Sequence, residues 1–176
     1  RVAIQGFGRV GMTVAEELVD AGARVVGIGD DRDAILNASG IDVTRAIDWM
    51  REHDAIRGMP GAEAATKADL IATDCDILVP AGLQGAITAS NAAGVRARIV
   101  AEAANGATTT EADAILADAG ITLVPDIICT TGSIVLGYFE WVQDMQAFFW
   151  TQDEVARELD RIIDEAMNGV QAMAAA

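Results

Sequence analysis

Lysine, histidine and cysteine are nearly missing from this chain, and each shortage excludes something. Among 176 residues Lys67 is the only lysine, His53 the only histidine, and Cys75 and Cys129 the only thiols. Two cysteines far apart build neither a disulfide scaffold nor a zinc site. Both lie beside apolar runs and are expected as buried free thiols, in keeping with a reducing cytoplasm; a reactive Cys129 is the alternative. No group of histidine, thiol and carboxylate has metal-ligand spacing, so no metal is expected. No apolar run reaches the roughly 18 residues of a membrane span, and no signal segment is expected ahead of the first strand.

Positive charge is scarce as well. Twelve Lys and Arg face 27 Asp and Glu, for a net charge of −15. That field repels nucleic acid and anionic membranes, so neither is expected as a partner. Arginine supplies nearly all the cations and aspartate dominates the anions, the bias of a salt-adapted surface, and a halophilic origin is the expectation. The other reading is an ordinary acidic bacterial protein.

What is abundant is apolar residue, 52% of the chain, enough for one core without staples. The expectation is a single domain over residues 1–176. Short apolar runs at 2–5, 24–28, 77–79, 99–102 and 122–124 read as buried strands. Helical spacing falls between them at 12–21, 41–53, about 88–93 and 110–119, then at 133–149 and from Thr151 onward. Thr110 with Asp113 and Thr151 with Glu154 resemble capping boxes. Val155, Leu159, Ile162, Ile163, Met167 and Val170 make one helix face. Strands alternating with helices predict an α/β fold with a doubly wound parallel sheet.

Gly6-Phe7-Gly8-Arg9-Val10-Gly11 carries the first chemical signal. It follows a strand and opens a helix, the setting in which G-x-G-x-x-G binds a dinucleotide. Gly6 would make the tight turn, Gly8 would admit a pyrophosphate, and Gly11 would let the helix pack on the strand. The phosphates would sit on unpaired N–H groups at the helix N-terminus. Asp30, closing the second strand, can accept from the adenosine ribose hydroxyls, and it would repel a 2′-phosphate. Asp31 adds to that repulsion, while Arg32 could pair with such a phosphate. NAD is therefore expected, with NADP possible. Lys67 and His53 read as solvated surface groups, and Asp74 and Asp76 as solvated or capping groups.

Five segments in order resemble the glutamate dehydrogenase family of glutamate, leucine, phenylalanine and valine dehydrogenases. They are Val2-Ala3-Ile4-Gln5-Gly6-Phe7-Gly8, Asp74-Cys75-Asp76-Ile77-Leu78-Val79-Pro80-Ala81, 101–109 around Asn105-Gly106, Val124-Pro125-Asp126-Ile127-Ile128, and Tyr138-Phe139-Glu140-Trp141-Val142-Gln143. The resemblance implies a Rossmann-type NAD(P)-binding domain of an enzyme that deaminates L-glutamate oxidatively to 2-oxoglutarate and ammonia. It implies backbone contacts to pyrophosphate from Phe7, Gly8 and Val10, with Arg9 beside the phosphates. It places Ala81 against the adenosine end, Asn105 near the nicotinamide ribose and Thr130 on the nicotinamide side. Tyr138, Phe139 and Trp141 are expected in core or interface. Catalytic residues would lie in a substrate domain upstream, absent here, so none is expected in this chain, which would bind cofactor without turnover. A small amino-acid substrate, a homo-oligomer and a cytoplasmic location are implied too. Thr130 stands where the family has asparagine and Gly137 where it has serine, which puts glutamate itself in doubt and leaves open a paralogue for another amino acid. Regulatory nucleotide-binding domains of potassium channels share the glycine-rich front end, so a non-catalytic nucleotide-binding module is the other reading.

If the acidic surface is salt-adapted, screening of its self-repulsion should raise the melting temperature between low and molar KCl. A melting temperature indifferent to salt would leave an ordinary acidic protein.

Overall fold

A computed structural model describes residues 1–174, divided between two compact units, the first Arg1–Asp126 and the second from Ile127 onward. The first unit contains β1 (Val2–Gln5), α1 (Arg9–Asp20), β2 (Val25–Gly29), β3 (Ala34–Leu36), α2 (Val43–His53), β4 (Glu63–Ala65), α3 (Lys67–Ile71), β5 (Ile77–Pro80), β6 (Ile99–Ala101), α4 (Thr110–Asp118) and β7 (Thr122–Val124). Its strands form one sheet in the order β4-β3-β2-β1-β5-β6-β7. The five central and distal strands, β2-β1-β5-β6-β7, are parallel, as expected. Strands β3 and β4 add an antiparallel edge that the apolar pattern did not reveal. Chain direction through the sheet reverses beside β1, with β2 on one side and β5 on the other. A crevice must therefore open beyond their C-terminal ends.

Two apolar layers cover the sheet. Val2 and Ile4 alternate with Ala3 along β1. The first pair packs with Ala15 of α1 and with Ala46 and Ile47 of α2. Ala3 and Leu78 pack on the opposite face with Leu70 of α3 and Leu116 of α4. Ile4, Leu70 and Leu116 are fully buried, and each such side chain contributes about 1.5–3 kcal/mol.

The pairing of β1 with β2 slips by one residue, since Val2 faces Val25 while Ala3 faces Gly27. This bulge turns Gly27 and Gly29 toward α3. A Cβ on either would lie 2.7 or 2.6 Å from a methyl of Leu70. The missing side chains let α3 press onto β2, which fixes where α3 begins.

Several expectations are corrected. The helix expected at 88–93 is a single 3-10 turn, Ala92–Gly94. The cap of α4 is Thr109, whose hydroxyl accepts from Ala112 N at 3.3 Å; Thr110 is already helical. Cys75 is buried, and burial pushes its thiol up to about 11. Cys129 is exposed rather than buried, because it ends the four-residue α5 (Asp126–Cys129), which buries nothing.

The second unit is built on α6 (Thr131–Gln146) and α7 (Gln152–Ala174), which pack on each other. Helix α6 stops earlier than expected, at Ala147, whose φ of +50° breaks it. Phe139 is buried and meets Trp150 edge-on at 5.2 Å. Trp150 N donates to Gln143 Oε1 at 2.6 Å. The Thr151–Glu154 capping box forms as expected, with Thr151 N donating to Glu154 Oε2 at 2.8 Å and Glu154 N to Thr151 Oγ1 at 3.3 Å. The expected apolar face of α7 is its half-buried face. Tyr138 and Trp141 are exposed, so of the three aromatics only Phe139 is core. Among the described residues no helix is long and apolar enough to cross a membrane.

Candidate functional site

Strand β1 runs into a turn that only glycine can make. Gly6 has φ +98°, and a Cβ there would sit 2.4 Å from Gly82 Cα and N, backbone against backbone. Gly6 N donates to Gly29 O at 2.7 Å, and Ala81 N donates to Gln5 O at 2.6 Å. The turn is thus tied to β2 on one side and to the loop after β5 on the other. A Cβ on Gly11 would fall 1.9 Å from Gly6 O, so α1 can seat on the turn only without a side chain there.

Gly8 is different. It is exposed, its φ of −88° suits any residue, and a Cβ would meet nothing within 4 Å. The protein itself does not need glycine there; the open space in front of it is what glycine preserves. Gly8 is also the N-cap of α1 and offers no side chain to the first-turn N–H groups. Those donors and the helix dipole are available to an anion.

In front of this turn lies a groove of about 510 Å³. Gly6, Phe7, Gly8, Asp30, Asp31 and Ala81, all expected site residues, line it. Phe7 buries its ring in the core, so it can offer a ligand only backbone. Arg9 and Val10 start α1 beside the groove and are exposed, while Gly11 lies buried beneath the turn. Gln5 also lines the groove, and its Oε1 is buried without a hydrogen-bond partner. Thr130 belongs to the second unit, as the N-cap of α6. Two wider hollows, about 740 and 680 Å³, lie beside Arg1 and Asp74 and beside Asp76 and Arg98. They open at the N-terminal ends of the strands, where α/β sheets do not hold ligands.

Asp30 is buried, and its carboxylate organises the loop after β2. Its Oδ1 accepts from Arg32 N and Asp33 N, both at 2.7 Å, and Oδ2 from Ile56 N at 2.8 Å. Burial alone would push its pKa up. The three N–H donors and the nearby Arg32 guanidinium outweigh that, and the carboxyl is held below its ordinary value. Asp31 is exposed and pairs with Arg32 Nε at 3.4 Å.

Asn105 is exposed on a second loop. Two acids that sequence reasoning gave no role hold that loop. Glu102, 5% exposed, accepts from Thr108 N at 2.6 Å and from Asp126 N at 3.0 Å. Asp126 Oδ2 in turn accepts from Gly106 N at 2.7 Å. Gly85 N donates to Gly106 O at 2.8 Å, which joins this loop to the one carrying Ala81. The available signal was an acid at a strand end followed by a turn.

Lys67 is the other omission. It is exposed, as expected of a surface group, but it also lines the groove and donates from Nζ to Asp31 O at 2.8 Å. His53 stays outside the groove, stacked on Trp49 at 3.8 Å. No metal-binding cluster occurs among the described residues.

The glycines should separate by mutation. Gly8→Ala should cost no more than about 1 kcal/mol, the N-cap preference for glycine over alanine, yet sharply weaken binding of NADH, the ligand the pattern implies. Gly11→Ala should lower stability by about 3 kcal/mol through overpacking against Gly6 O. Urea midpoints and a cofactor titration separate the two, and equal behaviour would contradict this division. Asp30→Asn puts a donor where N–H groups point and should cost about 2 kcal/mol. Because the folded pKa of Asp30 is depressed, its contribution is complete above about pH 4 and is lost as pH falls through the folded value. Urea midpoints against pH should show a shallower acid limb in Asp30→Asn.

Residues 1–176 match the family model for Glutamate/Leucine/Phenylalanine/Valine dehydrogenase. The cryptic catabolic NAD-specific glutamate dehydrogenase of Bacillus subtilis is 40% identical over 174 residues, covering 99% of this chain and 40% of that protein. The NADP-specific glutamate dehydrogenase of Synechocystis is 43% identical over 175 residues, covering 94% of this chain and 41% of that protein. A solved hetero-hexameric glutamate dehydrogenase from Thermus thermophilus superimposes with a TM-score of 0.90 at 30% identity, over 98% of this chain and 40% of that one. The chain therefore spans about 40% of the length of the relatives it matches. With its whole length matched, and its turn, groove and sheet in place, the chain belongs to the Glutamate/Leucine/Phenylalanine/Valine dehydrogenase family.

Proposed function

We propose that this chain is the NAD(P)-binding part of an amino-acid dehydrogenase that deaminates L-glutamate oxidatively. The observation that carries the reading is the glycine turn. Gly6 and Gly11 are required by the fold, whereas Gly8 keeps open the space before an uncapped helix N-terminus. Gly6, Phe7, Gly8, Arg9, Val10 and Gly11 would surround the pyrophosphate. Asp30 and Asp31 would receive the adenosine ribose, with Ala81 against the adenosine end. Asn105 would stand at the nicotinamide ribose and Thr130 on the nicotinamide side. Oδ1 of Asp30 already accepts two bonds, so a ribose hydroxyl would have Oδ2 or the Asp31 carboxylate to donate to.

When bound, the dinucleotide supplies a hydride acceptor at nicotinamide C4. The residues of this chain bind and orient it; none is assigned the proton transfers. Those would fall to a substrate domain of the full-length protein, whose closure would exclude water. A homo-oligomer in the cytoplasm completes the proposal. A second reading, a paralogue for a different amino acid, is favoured by Gly137, which has no hydroxyl to offer a side-chain carboxylate.

NADH titrated into the chain in high salt, followed by cofactor fluorescence, should show saturable binding. The same chain should not reduce NAD with glutamate. A folded chain that binds no dinucleotide would leave the glycine pattern as ancestry alone, and glutamate-dependent NADH formation would refute the lack of turnover.

A further inference from the structure

Arg32 is the cation expected to meet a 2′-phosphate, but its guanidinium is already engaged. Its Nε faces Asp31 Oδ1 at 3.4 Å, and its Nη2 reaches Asp54 O at 3.2 Å and Asp54 Oδ2 at 3.4 Å. It does not line the groove. Lys67 does, on the same rim as Asp31. Its Nζ donates to a neutral carbonyl, Asp31 O, at 2.8 Å. An ammonium has three donors, so two remain. No carboxylate among the described residues lies within ion-pair distance of it.

The position of this lysine is built rather than incidental. Thr66 and Asp69 form a capping box that sets the start of α3 at Lys67. Three residues on, Leu70 lies over Gly27 and Gly29 of β2, in the space their side chains would fill. The same packing that closes the core thus holds the root of Lys67 beside the end of β2.

We propose that Lys67 reads the 2′ position of the adenosine ribose, pairing its ammonium with the 2′-phosphate of NADPH so that the groove accepts both dinucleotides. This rests on the dinucleotide reading above and adds a specificity-determining residue to it. Asp30 and Asp31 both line this end of the groove, and a 2′-phosphate adds about −2 of charge. Lys67 is the only basic residue lining the groove and the only cation there to offset that repulsion. Charge-assisted bonds from the ammonium would exist with NADPH and not with NADH.

The test compares wild type, Lys67→Met and Lys67→Arg, each shown to be folded by circular dichroism. Probes are NADH and NADPH, with adenosine 2′,5′-bisphosphate and 5′-AMP as competitors that isolate the adenosine end. Lys67→Met should weaken NADPH and the bisphosphate about tenfold while leaving NADH and 5′-AMP within about twofold. Lys67→Arg should restore most of the NADPH affinity, and the NADPH difference should shrink as salt rises. Equal weakening of both dinucleotides would make Lys67 a structural staple and overturn the proposal. So would unchanged NADPH binding in Lys67→Met, or a wild type that binds NADH but excludes NADPH. A folded wild type that binds neither would instead sink the dinucleotide reading, and this inference with it.

Discussion

The contact of Gly6 with Gly82 is the constraint on which the rest of the groove depends. Two backbone segments touch with no side chain between them. That contact makes the β1–α1 turn and the loop after β5 move as one piece. Gly11 beneath Gly6 O then sets the angle at which α1 leaves the turn. The bond from Gly85 N to Gly106 O carries the coupling one loop further, to Asn105. Three loops from three strands thereby share one rim, which is what a ligand long enough to span a switch point requires.

Those loops are irregular, and their N–H groups still need acceptors. The chain supplies carboxylates. Asp30 takes three backbone N–H groups and Glu102 takes two, while Asp126 takes one more. Burying a charge is unfavourable unless donors surround it; here the donors are the very groups that would otherwise lack partners. The arrangement stiffens the loops without bulky side chains and leaves the groove open. It also puts negative charge at the edge of a groove proposed for an anion. The uncapped N-terminus of α1 and the one lysine of the groove wall act against that field.

The parallel sheet was legible because buried strands read as short apolar runs between helical stretches, and β1, β2, β5, β6 and β7 all do. Strands β3 and β4 were not, because three-residue edge strands such as Glu63–Ala65 have no period to detect. Helix α3, at five residues, shows no period in the sequence for the same reason. The glycine turn was readable since Gly6 and Gly11 are demanded by local geometry. The place of Lys67 at the groove was not: it comes from a bulge in β2 and from Leu70 packing over two glycines, both products of tertiary structure. Thr109 and Thr110 compete for one cap, and sequence spacing alone favoured the wrong one. Cys129 sits beside apolar residues that the fold leaves exposed, such as Ile127 at 72%.

The two units differ in how much of themselves they bury. The first covers a seven-stranded sheet on both faces and contains every residue that lines the groove. The second buries Phe139 while leaving Ile134, Met145, Phe148 and Phe149 largely exposed. A pair of packed helices has little interior, and apolar residues on its outer faces gain nothing from its own folding. The groove proposed for the adenosine and pyrophosphate ends is therefore complete within the first unit. Thr130 and Gly137, the two departures from the family pattern, both fall in the second. The groove and the two positions that depart from the family pattern thus lie in different units, and a substitution at Thr130 or Gly137 need not disturb the packing that shapes the groove.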